Sequence, residues 1–127
     1  MTSEANKAVV ADFINTVFNG THQVDEGAAR CLGPTYRQHN PDVADGRDAF
    51  IANFKTFFAA HPTSTFEVKR MFCEGDFVTV HAHWKLHPED RGSAVMDIFR
   101  LENQLLVEHW DVVQPIPATM AHTNTMF

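Results

Sequence analysis

The hydrophobic period of this chain changes once, near Pro62, and that change constrains the fold more than any other feature. Ahead of it, apolar residues recur every three or four positions; beyond it they alternate. In Ser3–Phe18 the residues Val9, Val10, Phe13, Ile14, Val17 and Phe18 share one helical face. Ser3 is placed to cap that helix and Asn19-Gly20 to end it. A shorter helix is expected over Asp25–Leu32, stopped by Gly33-Pro34, and a third over Arg47–Ala60, capped by Asp45 and limited by Pro62. The intervening TYRQHNPDVADG reads as irregular or briefly extended, with a turn at Asn40-Pro41. Four strands follow, Ser64–Phe72, Phe77–Leu86, Ser93–Leu101 and Leu105–Val113. Their short connections require an antiparallel meander. Helices first and strands after make an α+β fold, with the helices laid on one face of a curved sheet.

The chain has 127 residues, enough for one domain with a real core. Its formal charge of −6 and scattered Lys and Arg argue against a nucleic-acid partner. It shows no membrane-length apolar run and no signal-peptide pattern, and Cys31 and Cys73 stand in no metal or redox spacing. A cytoplasmic protein with reduced thiols is the expectation. Both faces of the last strand carry apolar residues: Leu105, Val107 and Val113 on one, and Leu106, Trp110 and Val112 on the other. Three helices cover one face of the sheet, so a homodimer through the other is expected. The tail from Gln114 to Phe127 has two prolines and no period, and reads as an extended arm.

Function is sought in the last third, where Asp97 and Asp111 interrupt apolar strands. A carboxylate on a buried strand face is costly unless paired, hydrogen-bonded or protonated. Proteins accept that cost where the group has chemistry to do. If Glu102-Asn103-Gln104 is a three-residue loop, Leu101 pairs with Leu105. Asp97 then lies opposite His109, and Asp111 is a diagonal neighbour about 7–8 Å away. Asp97, His109 and Asp111 share the concave face in that register, and Arg100 and Glu108 the other. A two-residue loop would send the two aspartates to opposite faces. His81 and His83 share a strand face with Thr79 and, if it met the aspartates, could add to a metal site; their spacing alone is unspecific.

The run YRQHNP before the third helix, the strand MDIFR, the terminal LVEHWD, the RGSAV run and the NTMF ending resemble the SnoaL-like family. That family belongs to the superfamily of nuclear transport factor 2 and ketosteroid isomerase, and the match is best to a bacterial subgroup of predicted aldol-condensation enzymes. The resemblance implies a cone-shaped α+β barrel and acid/base chemistry beside a carbonyl, without metal or other cofactor. Asp111 falls where polyketide cyclases of the family place an acid/base aspartate. Asp97 falls where ketosteroid isomerase keeps a protonated aspartate. The isomerase's base position is Asn40 here, and its tyrosine on the first helix is Phe13, which disfavours steroid isomerisation. The expected catalytic set is therefore Asp111 as base, with Asp97 or His109 as donor to the oxyanion. His39, Asn40, Tyr36, Phe13 and Phe54 are expected to contact a hydrophobic carbonyl compound. The alternative is a ligand-binding domain on the same cone.

Overall fold

The computed structural model describes Thr2–Phe127. The first helix, α1 (Ser3–Val17), is capped one residue ahead of the expected Ser3: Thr2 Oγ1 accepts the Ala5 N–H at 3.1 Å. Its buried stripe is Val10, Phe13, Ile14 and Val17, as the period requires. The second helix, α2, is Val24–Cys31, and α3 is Arg47–Ala60. Gly46, at φ +100°, caps α3 in place of Asp45. Asp45 turns back instead and accepts the Gln38 N–H at 2.7 Å.

Between α2 and α3 lies a strand that local pattern does not announce, β1 (Leu32–Gln38). It is followed by β2 (Thr65–Glu74), β3 (Phe77–Lys85), β4 (Ser93–Glu102) and β5 (Leu105–Pro115). The sheet order is β1-β5-β4-β3-β2. The meander is antiparallel, but β1 joins the β5 edge in parallel, so the sheet is mixed. Pro34 is tolerated because β1 has a neighbour on one side only. The sheet is curved and stays open; the expected barrel is an unclosed cone with the three helices in its concavity. Among the described residues no helix is long and apolar enough to cross a membrane.

The β4–β5 connection corrects the expected register. Asn103 and Gln104, at φ +50° and +64°, form a two-residue turn closed by Glu102 opposite Leu105. By parity alone that turn would put Asp97 and Asp111 on opposite faces. A β-bulge prevents it: Leu101 pairs with Leu106 and Arg100 with Glu108, leaving Val107 as the extra residue. The bulge allows Leu106 to enter the core while His109 and Asp111 also face the concavity. Asp97 consequently lies directly opposite Asp111, and Phe99 opposite His109.

The core is aromatic and centred on Phe13, whose ring lies 5.5–6.0 Å from those of Phe18, Phe50 and Phe99. On the convex face Met96, Ile98 and Val112 are exposed. Here Arg100 Nε donates to Glu108 Oε1 at 3.0 Å. His39 stacks on Trp110, with ring centroids 4.8 Å apart. The arm beyond β5 returns to this face, where Phe127 stacks on His83 and lies beneath Lys69.

Candidate active site

Between α3 and the concave sheet lies a cavity of about 320 Å³. Its aromatic wall includes Phe13, Phe50, Phe54 and Trp84; its polar wall is Tyr36, Gln38, Asn40, Asp97, His109 and Asp111. The period of β1 explains half of that polar wall. Tyr36, Gln38 and Asn40 are two apart, so an extended chain turns all three inward and sends Arg37 and His39 outward.

Two amides orient the ionisable groups, and each is itself oriented by a backbone N–H. Gln38 Oε1 accepts the Asn40 N–H at 3.1 Å, which identifies it as the oxygen. His109 Nδ1 lies 2.7 Å from the same oxygen and therefore carries a proton that it donates. The opposite ring nitrogen, Nε2, is 2.7 Å from Asp97 Oδ1, in a contact that needs one more proton. Asp97 and His109 thus share a proton between a carboxylate and an imidazole whose other side is already committed. Asn40 is set the same way: its Oδ1 accepts the Asp42 N–H at 2.8 Å. Its Nδ2 faces Asp111 and lies 2.9 Å from both carboxylate oxygens.

Burial, the largest influence, pushes the Asp97 carboxyl above its ordinary range. The hydrogen bond and charge of His109 pull it back in part, while Asp111 pushes it further up. The folded state therefore binds this proton more tightly than the unfolded chain. Stability falls as pH rises from the unfolded value of 3.8 through the raised folded value. Asp97→Asn removes that loss and keeps a donor for His109 Nε2. The variant should melt higher than wild type at pH ~8, with the gain shrinking as pH falls and vanishing below the unfolded value of 3.8. Thermal melts across that range check this, and a variant destabilised at every pH would refute it.

Tyr36 is 2% exposed, with its ring nearly parallel to that of His109. Burial, followed by the charges of Asp97 and Asp111, pushes its hydroxyl well above the ordinary phenol range, so it remains a protonated donor. Among the described residues that hydroxyl has no hydrogen-bond partner, and it lies at the cavity wall.

The structure brings together Asp97, His109, Asp111, Asn40 and Tyr36, with Phe13 and Phe54 in the aromatic wall. His39 is the exception among the expected contacts. It follows Gln38 in the alternation and points to the convex face, where its Nε2 lies 2.7 Å from Glu108 Oε2. His81 and His83 also lie on the convex face, and cannot join the aspartates in a metal site. Asp97, His109 and Asp111 each offer a ligand atom within 4.8 Å of the others. A small divalent cation held there would have to displace the proton shared with His109. Sequence reasoning missed Gln38; recognising β1 as a strand would have placed it beside Tyr36 and Asn40.

Comparison with known proteins matches this frame. The family profile described as SnoaL-like domain matches residues 10–109. A candidate ketosteroid isomerase from Kribbella flavida superposes with a TM-score of 0.75 at 14% identity, covering 94% of this chain and 85% of that one. A candidate polyketide cyclase from Acidithiobacillus ferrooxidans gives 0.71 at 17% identity, covering 89% and 90%. TsrD from Streptomyces laurentii gives 0.69 at 20% identity over the same shares, 89% and 90%. No curated protein matches the chain. The structural likenesses establish the fold, and the profile spans most of the sequence: the chain belongs to the SnoaL-like domain family.

Proposed function

We propose that this protein is a small-molecule enzyme that moves a proton beside a carbonyl, as an aldol-type cyclase or an isomerase, without a cofactor. The observation that carries this is the pairing, in one aromatic cavity, of a carboxylate free to accept a proton with a phenol free to donate a hydrogen bond. Asp111 is hydrogen-bonded by the Asn40 amide, and His109 Nε2 stands off at 3.9 Å, so its remaining lone pairs are available to substrate. Asp97 is unsuited to that task because its proton is shared with His109. The relatives described as candidate cyclases and isomerases support the same class of chemistry.

In this mechanism Asp111 removes a proton from the carbon next to the carbonyl. The electron pair of the broken C–H bond moves to the carbonyl oxygen, which Tyr36 stabilises by donating its O–H. In a cyclase the enolate carbon then forms a C–C bond to a second carbonyl of the same molecule, and the proton on Asp111 passes to the new alkoxide. In an isomerase the proton returns to a different carbon. The Asp97–His109 pair retains its shared proton throughout, which limits the negative charge beside Asp111 to one carboxylate.

The test is deuterium incorporation into β-tetralone and into cyclic β-diketones, followed by mass spectrometry in deuterated buffer. Exchange next to the carbonyl should exceed the buffer rate with wild type and fall to near it with Asp111→Asn. No exchange with any of these ketones, or exchange that survives the substitution, would overturn the reading and leave a binding domain.

We also propose a homodimer through the convex face, on the strength of the exposed Met96, Ile98 and Val112. Light scattering at micromolar concentration should give twice the chain mass, and a monomer would refute it.

A further inference from the structure

His39 stands outside the cavity, yet in the chain it sits between Gln38 and Asn40, the two amides that orient the ionisable groups inside it. Its own ring points the other way. On the convex face its Nε2 lies 2.7 Å from Glu108 Oε2, and its ring is parallel to that of Trp110 with centroids 4.8 Å apart. The His39 hydrogen bond, against burial and with help from Arg100, holds the Glu108 carboxyl below its ordinary range. Glu108 is therefore the acceptor and His39 Nε2 the donor. Glu108 precedes His109 in β5 and Trp110 follows it. One side chain thus grips both neighbours of His109 from behind.

The grip matters because this end of β1 is otherwise lightly held. Pairing with β5 is irregular between Leu32 and Arg37 and resumes only at Arg37 and Gln38. Among the described residues, the last backbone bond joining the two segments runs from the His39 N–H to the His109 carbonyl at 3.0 Å. Asn40 lies beyond it, with its own N–H bonded to the Gln38 side chain and a turn starting at Pro41. Its amide must nonetheless stand 2.9 Å from both Asp111 oxygens. A misplacement of about 1 Å at a reacting centre can cost about a hundredfold in rate.

We propose that His39 is a positioning residue: by clamping Glu108 and Trp110 on the convex face, it holds the Asn40 amide in register with Asp111 on the concave one. This rests on the reading of Asp111 as base, and adds to it a residue that acts through the sheet from outside the cavity. Exposed pairs of this kind contribute little to global stability, so the clamp is separable from folding.

The test compares His39→Ala and His39→Gln in the full chain. Gln places an amide nitrogen about where imidazole Nε2 stands, so it keeps the donor to Glu108. His39→Ala should slow deuterium exchange into β-tetralone about tenfold at saturating ketone, with KM changed less than about twofold. Its melting temperature should stay within about 2 °C of wild type. His39→Gln should recover most of the lost rate. By NMR, the Asn40 side-chain amide resonances should move and exchange faster with water in His39→Ala, and return toward wild type in His39→Gln. Unchanged Asn40 resonances, a full rate in His39→Ala, or a loss that His39→Gln does not recover would overturn the proposal. A melting temperature that falls along with the rate would mark a merely structural role and overturn it too. If wild type exchanges no ketone, the assignment of Asp111 as base fails by itself, and the amide resonances still decide whether His39 holds Asn40.

Discussion

Asp111→Asn should reduce deuterium exchange into a bound ketone by about a thousandfold while leaving the fold intact. The two halves of this expectation have separate causes. The loss is large because the replacement amide has no lone pair basic enough to take a proton from carbon. The other carboxylate in the cavity cannot substitute, since Asp97 Oδ1 is engaged by His109 at 2.7 Å. The fold persists because the amide oxygen still accepts from Asn40 Nδ2, whose orientation is set independently by the Asp42 N–H. Circular dichroism and a thermal melt within a few degrees of wild type distinguish this loss from unfolding. A variant that keeps more than a tenth of the wild-type rate would mean another group is the base.

Phe13→Ala should cost about 3–5 kcal/mol, the largest stability loss expected of any single substitution considered. Phe13 is fully buried and its ring meets Phe18, Phe50 and Phe99, from α1's own end, α3 and β4. Truncation leaves a void where the helical layer meets the sheet, and the facing rings are held by other neighbours and cannot all collapse into it. A domain of this size is stabilised by about 5–15 kcal/mol, so the loss is a large fraction of the whole. The melting temperature should fall by about 15 °C. Because Phe13 also lines the cavity, the same substitution enlarges the site. Phe13→Leu, which retains most of the volume, should cost less than about half as much. Urea denaturation of the two variants checks the order, and equal losses would indicate that packing around this ring is not what holds the layers together.

His39 and Gln38 show where reading the sequence fails and why. The run YRQHNP contains a strong turn signal in Asn40-Pro41 and follows Gly33-Pro34, so local rules favour an irregular segment. The structure makes Leu32–Gln38 a strand because β5 offers it a parallel edge some 70 positions later, with Arg37 paired to Glu108 and Gln38 to His109. No local pattern encodes a partner that distant. Missing the strand had a direct consequence: without its alternation, His39 looked as available to the site as Asn40, and Gln38 went unnoticed.

The β4–β5 register illustrates the same limit. The concave grouping of Asp97, His109 and Asp111 was reached through a three-residue loop, whereas the chain uses a two-residue turn and a bulge at Val107. Both routes end with the same parity, so the shared face was right and the pairing wrong by two residues. Bulges are set by the competing demands of a buried Leu106 and inward-facing His109, which only the packed core weighs against each other.

The sequence by itself determined the order of helices and strands, the aromatic face of each helix, and the residue types that could carry chemistry. All of these are written in periods of two and 3.6 and in the cost of burying a carboxylate. Only the tertiary structure decided which side chains meet. The proton shared by Asp97 and His109 and the setting of Gln38 and Asn40 depend on contacts between segments far apart in the chain. Hydrogen bonds are directional and act over about 3 Å, so they are fixed only once packing has placed both partners.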